Sequence, residues 1–173
     1  GGPIIVTGAG TASTGADVLA ASITLPDEDY FLWAVATLKS SATDYDVLVD
    51  LSDGTSANNI YLSRNAAGNT EIQSTTAAVA TVVGPTISIS AGGRVVMGLR
   101  RKSGKITGCV RIAGVTTLGT ESTTIIANPV GITTIRPGTY LTGGLQLDGP
   151  LEGVFRRAGT FSDADITAIL LAA

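Results

Sequence analysis

Apolar and polar side chains alternate with a period of two along most of this chain, the pattern of strands that bury one face. Val47, Val49 and Leu51 alternate with Leu48 and Asp50. Ile60 and Leu62 alternate with Tyr61 and Ser63, and Asn65-Ala66-Ala67-Gly68-Asn69 then makes a turn. Phe31-Leu32-Trp33-Ala34-Val35-Ala36-Thr37-Leu38 is apolar on both faces, which predicts a central strand covered on both sides. Residues 94–101 and 105–112 flank Lys102-Ser103-Gly104, a hairpin signature. Further short strands are predicted at 4–7, 18–25, 70–74, 78–83, 86–90, 123–126, 133–136 and 151–157. Turn residues recur roughly every 8–12 residues, the spacing of a sandwich or barrel. No fixed-period repeat or linker interrupts the pattern, so residues 1–173 are expected to form a single domain.

One segment breaks the strand pattern. In "TFSDADITAIL" (160–170), Ser162 is a good N-cap, and Asp163 and Asp165 fall in the first turn, where the helix dipole favours negative charge. Phe161 before the cap and Ile166 at the fourth helical position match a hydrophobic staple. Ile166, Ile169 and Leu170 then form an apolar stripe at i, i+3, i+4. The only surface available to such a stripe is a β-sheet, so a short C-terminal helix is expected to lie across the sandwich as a lid.

Composition narrows the chemistry. Charged residues make up 14% of the chain, so Thr, Ser, Asn and Gly must cover much of its surface. A net charge of −3 gives no footprint for nucleic acid or an anionic membrane. The longest strongly apolar stretch, 166–173, is too short to span a bilayer, and no basic leader precedes it. The single cysteine, Cys109, excludes an intrachain disulfide framework and reads as a buried thiol among apolar neighbours. The absence of His removes Ser-His-Asp, Cys-His and His-zinc chemistry together. The chain opens Gly1-Gly2-Pro3 and not with Met, as expected of a segment of a longer protein or a trimmed tag.

"GPLEGVFRRAGTFSDADITAIL" (149–170) resembles the final strand and terminal helix of concanavalin A-like, laminin-G-like jelly-roll domains. "DVLVDLSDGTSANNIYLSRNAAGNTEI" (46–72) is similar to paired strands of that family, and "GGRVVMGLRRKSGKITGCVRIAGV" (93–115) to its hairpin. With "FLWAVATLK" (31–39), these blocks occur in the family's order. The resemblance implies an all-β fold, a concanavalin A-like antiparallel β-sandwich (jelly roll) with one short C-terminal helix. It does not imply one function, because the fold carries lectins, carbohydrate-binding modules, glycoside hydrolases, polysaccharide lyases, adhesion modules and phage virion parts.

Hydrolases of this fold place alternating carboxylates on one strand, and retaining hydrolysis needs two carboxyls about 5–5.5 Å apart. No strand here has that form. Asp27-Glu28-Asp29 reads as a solvated turn, Asp44 and Asp46 as polar residues at a loop edge, and the four Glu residues are scattered. Tyr61 and Tyr140 have no lyase-type motif around them. A non-enzyme with no resident cofactor is therefore expected. Calcium is the one metal to consider: "DLSDGTSANN" offers hard oxygen donors, Asp50 and Asp53 above all, although Asp53-Gly54 is also an ordinary turn. For a sugar ligand, Tyr45 and Tyr140 adjoin loops, and Asn58 and Asn59 could donate and accept hydrogen bonds. Arg100-Arg101-Lys102 and Arg156-Arg157 lie on strands, point to opposite faces in turn, and are expected to be solvated.

These readings favour a non-catalytic virion surface module of a bacteriophage: a decoration, head-fibre or tail-fibre domain for assembly or host-surface glycan adhesion. The alternative is a carbohydrate-binding module of a secreted or cell-surface bacterial protein. The expected partners are other virion proteins, copies of this chain in a homo-oligomer such as a trimer, or a cell-surface polysaccharide, with no nucleic acid and no membrane insertion. In an oligomer, outward apolar side chains such as Leu48 and Val96 are expected to be covered by a neighbouring copy.

Overall fold

The structure, a computed structural model, describes residues 4–6, 21–23, 25–39, 45–141 and 147–173. Its strands are β1 (Ile4–Val6), β2 (Ala21–Ser22), β3 (Tyr30–Thr37), β4 (Asp46–Ser52), β5 (Asn59–Arg64), β6 (Thr70–Thr76), β7 (Val79–Val83), β8 (Arg94–Lys102), β9 (Lys105–Ile112), β10 (Val115–Leu118), β11 (Thr134–Pro137) and β12 (Leu151–Ala158), followed by helix α1 (Asp163–Ala172). They form two six-stranded antiparallel sheets. Sheet I runs β1-β12-β3-β8-β9-β10 and sheet II runs β2-β11-β4-β5-β6-β7. The antiparallel β-sandwich is thus present, closed by one short helix among the described residues.

The core lies between the sheets. Leu32, Ala34 and Ala36 of β3 and Val95, Met97 and Leu99 of β8 meet Leu48, Leu51, Ile60, Leu62 and Ile72 of sheet II, all fully or almost fully buried. Burying a Leu or Ile side chain contributes roughly 1.5–3 kcal/mol, so this layer supplies most of the driving force. The alternation in β4 is interrupted by a β-bulge: Val47 pairs with Ser63 but Val49 with Leu62, and both Leu48 and Val49 enter the core. At the rim of this core Asp46 and Arg64 form a fully buried ion pair, and Asp46 Oδ1 accepts the Asp148 N–H at 2.8 Å. Asp46 is therefore an interior residue, not the loop-edge one expected. Asp44 lies outside the described residues.

A second cluster forms on the outer face of sheet I, where Phe31, Val35, Val96 and Cys109 pack under Phe161, Ile166 and Leu170. Ser162 caps the helix, and with Asp165 it makes a capping box. Arg100, which is buried, reaches up from β8 to Asp163 Oδ1 at 2.5 Å and pins the first turn. Gly98 is required here because a Cβ would lie 2.7 Å from the Phe31 ring and 2.9 Å from Cys109 Sγ. Burial pushes the Cys109 thiol well above its ordinary pKa.

Several expectations need correction. Leu48 is covered by the chain's own core and Val96 by its own helix, so neither awaits a neighbouring copy. Arg100 and Arg101 are not solvated: their guanidiniums reach carbonyls and carboxylates, Arg101 bonding Ile126 O at 2.6 Å and Asp27 Oδ1 at 3.1 Å. Segments 86–90 and 123–126 are not ladder strands. The first makes one bridge, Ser88 to Asn69, and the second lies beside β9 through single bonds such as Ile126 N to Gly104 O. The predicted hairpin forms, with Ser103 and Gly104 both at positive φ (50° and 76°).

Candidate functional site

The outer face of sheet II carries the polar half of the alternation on four successive strands. Cross-strand partners share a face, so the register defines rows. One row runs Arg136, Asp50, Tyr61, Gln73, Val82, and the next Thr134, Ser52, Asn59, Thr75, Ala80. Ser63 and Glu71 continue the surface beyond Tyr61. The opposite faces of the same strands supply Leu51, Ile60, Leu62 and Ile72 to the core. The same periodicity that builds the sandwich therefore collects these polar groups on one surface.

Tyr140, from the segment after β11, reaches over this surface. Its ring meets Tyr61 edge-on at 5.7 Å between centroids, and its hydroxyl lies 3.4 Å from Asn59 Nδ2. The Tyr61 hydroxyl lies 2.5 Å from Glu71 Oε1 and 2.9 Å from Gln73 Oε1. Burial, reinforced by the Glu71 carboxylate, raises the Tyr61 pKa far above the phenol range, so the group stays protonated. Tyr45, 39% exposed, is near enough to add a small electrostatic effect at Tyr61.

Asp50 lies at the centre and is fully buried. Burial pushes its carboxyl up to about 6 against the opposing pull of Arg136, whose Nη1 is 3.5 Å from Asp50 Oδ2 and donates to Ser52 Oγ at 2.7 Å. Among the described residues Asp50 Oδ1 and Asn59 Oδ1 accept no well-formed hydrogen bond, although Ser52, Asn59 and the Leu141 N–H lie close enough to Asp50 to pull its carboxyl downward. Buried polar atoms normally find partners, so such a pair beneath a tyrosine marks a place where an incoming hydroxyl or water would be held.

The structure thus brings Asn59, Tyr140 and Asp50 together and sets Asp53 and Asn58 apart. Asp53 closes its own turn: Oδ1 accepts from Thr55 N at 2.8 Å and Oδ2 from Asn58 Nδ2 at 2.9 Å. These bonds hold its carboxyl below the usual range, the Thr55 side chain first. Asn58 in turn accepts the Ala77 N–H at 3.1 Å. Among the described residues no group of three or more His, Cys, Asp or Glu side chains is placed to hold a metal ion. Beside Asp50 stands the guanidinium of Arg136. Asp50 and Glu71 are two strand spacings and two residues apart, about 12 Å between backbones.

Tyr61, Gln73, Glu71 and Arg136 were not singled out from sequence as ligand residues. The signal that finds them is the polar half of the alternation, followed across paired strands.

A concavity lies on sheet I beside α1. It is a groove of about 450 Å³ lined by Trp33, Phe155, Arg157 and the Arg94–Glu152 pair. Trp33 and Phe155 stack at 5.3 Å between centroids, and Arg94 and Glu152 are joined by three hydrogen bonds of 2.8–3.0 Å. The polar groups of that pair are already satisfied.

No protein-family model and no curated protein sequence matches the chain. Solved structures share its fold. The CBM40 of Ruminococcus gnavus IT-sialidase, bound to α2,3-sialyllactose, aligns with a TM-score of 0.63 at 12% identity over 83% of this chain and 82% of that one. The NanB sialidase of Streptococcus pneumoniae aligns with a TM-score of 0.66 at 14% identity, over 92% of this chain and 28% of the sialidase. Full-length tailspike protein 2 of Escherichia coli O157:H7 bacteriophage CAB120 aligns with a TM-score of 0.61 at 13% identity, over 98% of this chain and 26% of the tailspike. Among the described residues no helix is long and apolar enough to cross a membrane.

Proposed function

We propose that this domain is a non-catalytic carbohydrate-binding module whose sugar site is the outer face of sheet II. The observation that carries the reading is the polar row Arg136-Asp50-Tyr61-Gln73 with Tyr140 reaching over it, on the outer face of the sheet opposite the one that α1 packs against. Sugar recognition asks for aromatic surface against C–H groups and for fixed donors and acceptors against hydroxyls. Tyr45, Tyr61 and Tyr140 provide the first, and Glu71, Gln73, Asn59 and Arg136 the second. The likeness to a sialidase CBM40 over four-fifths of both chains supports the reading. On this reading the module belongs to a secreted or cell-surface protein.

The same module on a virion fibre is the second reading, favoured by the tailspike alignment, which extends over 98% of this chain. The two readings share the sugar site and differ in what carries it.

Isothermal titration against a panel of neutral and acidic oligosaccharides, including sialyllactose, tests the site. Tyr61→Ala and Tyr140→Ala are each expected to weaken binding at least about tenfold, with Trp33→Ala unchanged. Binding lost only in Trp33→Ala would move the site to the sheet I groove. No binding by the wild-type protein across the panel would overturn the reading.

A further inference from the structure

Four strands end the two sheets. β1 and β2 are three and two residues long, and β10 has four. The remaining edge, β7, runs five residues and pairs with β6 alone among the described strands. Its Val79 is 69% exposed and its Val82 58%.

Natural sheets blunt such an edge with Lys, Pro, a bulge or a covering segment. β7 has no such device within it: its register against β6 is unbroken, and no charged residue occurs between Glu71 and Arg94 in the sequence. Among the described residues the edge therefore offers backbone groups without a strand partner, flanked by exposed valines, with no charge within it to repel a neighbour.

We propose that β7 is a self-association edge, at which two copies of the chain pair their β7 strands antiparallel about a two-fold axis through Thr81. The strand suits itself as a partner. Val79 would lie opposite Val83 of the second copy, Ala80 opposite Val82, and Thr81 opposite Thr81, which sets β-branched pairs at both ends and a Thr–Thr pair at the centre. A neutral edge selects a neutral partner, and the two-fold satisfies both copies with one contact and closes there. Pairing with β10 of another copy would leave a free edge on each molecule and grow without limit. A five-residue edge buries less than the roughly 1,200 Å² of a stable interface, so the dimer is reversible and depends on concentration.

The pairing joins two six-stranded sheets into one of twelve, and a two-fold perpendicular to the sheet keeps the outer faces of both copies on the same side. The row Arg136-Asp50-Tyr61-Gln73 ends at Val82 on this edge, so both polar faces become one surface. That consequence, unlike the pairing itself, rests on the sugar-site reading.

Sedimentation velocity over a hundredfold range of concentration tests the edge without any sugar. The wild-type chain is expected to pass from monomer to dimer. The double variant Val79→Lys/Val82→Lys is expected to weaken the dimer at least about tenfold while keeping its melting temperature, because both side chains are already exposed. Val115→Lys, on the β10 edge, serves as the control and is expected to dimerise like wild type. A 17.4 kDa monomer at every concentration would overturn the proposal. So would open-ended polymers, association unaffected by the β7 lysines, or association lost in Val115→Lys. None of these outcomes depends on whether a glycan binds.

Discussion

The outer faces of the two sheets are built by the same pleat and have opposite fates. On sheet I the central row is Phe155, Trp33, Gly98, Cys109, and α1 lies over the part of the face built by Phe31, Val35, Val96 and Cys109. On sheet II the corresponding row is Arg136, Asp50, Tyr61, Gln73, and among the described residues no helix covers it. An apolar row demands a cover and obtains one from the end of the chain. A polar row could be left to water, yet here Asp50 and Asn59 are fully buried, and among the described residues one oxygen of each lacks a well-formed hydrogen bond. Desolvating such groups opposes folding, so the arrangement on sheet II is hard to explain by stability, whereas that on sheet I needs no other explanation.

The largest effect that could break this comparison belongs to the covered face. Leu170→Ala is expected to cost about 2–4 kcal/mol in urea unfolding, with sugar affinity unchanged. A change below about half a kilocalorie would mean that the helix does not depend on that packing.

Next comes the pH dependence of the polar face. Because the folded state raises the Asp50 pKa from 3.8 to about 6, the folded protein holds a proton there that the unfolded chain has already released. Asp50 therefore contributes stability that is present below about pH 4 and lost as pH rises through about 6, on the order of 3 kcal/mol. Melting temperatures measured from pH 4 to 7 are expected to show this fall in the wild type, and Asp50→Asn is expected to lack it.

A smaller effect is expected from Ser162→Ala. It removes the cap and half of the capping box and costs about 1 kcal/mol, read by denaturant unfolding. The smallest is Tyr61→Phe, which keeps the ring against Tyr140 and drops only the hydroxyl bonds to Glu71 and Gln73. Its stability should stay within about 0.5 kcal/mol of wild type, and its sugar affinity should fall less than that of Tyr61→Ala. Equal losses in the two variants would assign recognition to the hydroxyl and not to the ring.

Much of the fold was legible in the sequence because local signals agreed with one another. The two-sided apolarity of residues 31–38 anticipates β3, which is covered by the core on one face and by α1 on the other. The staple and cap of α1 could be read directly, because they depend on residues only a few positions apart. Segments 86–90 and 123–126 have strand-like composition but find one bridge or a few single bonds, since pairing is decided by distant partners. The burial of Arg100 and Arg101 was hidden for the same reason, as their partners Asp163, Ile126 and Asp27 come from remote parts of the chain. For the site, Asn59 and Tyr140 could be named as types of residue, but their meeting across 81 positions could not. The pairing of Asp50 with Arg136 likewise follows only from the β4–β11 register.

The lone thiol under α1 gives the molecule a built-in reporter. Cys109 is fully enclosed between Phe31, Gly98 and the helix, and burial holds it in its unreactive protonated form. A thiol-directed dye in mild alkali can therefore label the protein only in moments when the lid lifts or the whole chain opens. With no second cysteine in the sequence, each labelling event has one address. The labelling rate, compared with the rate of global unfolding, measures how often the helix leaves its sheet while the sandwich stays folded.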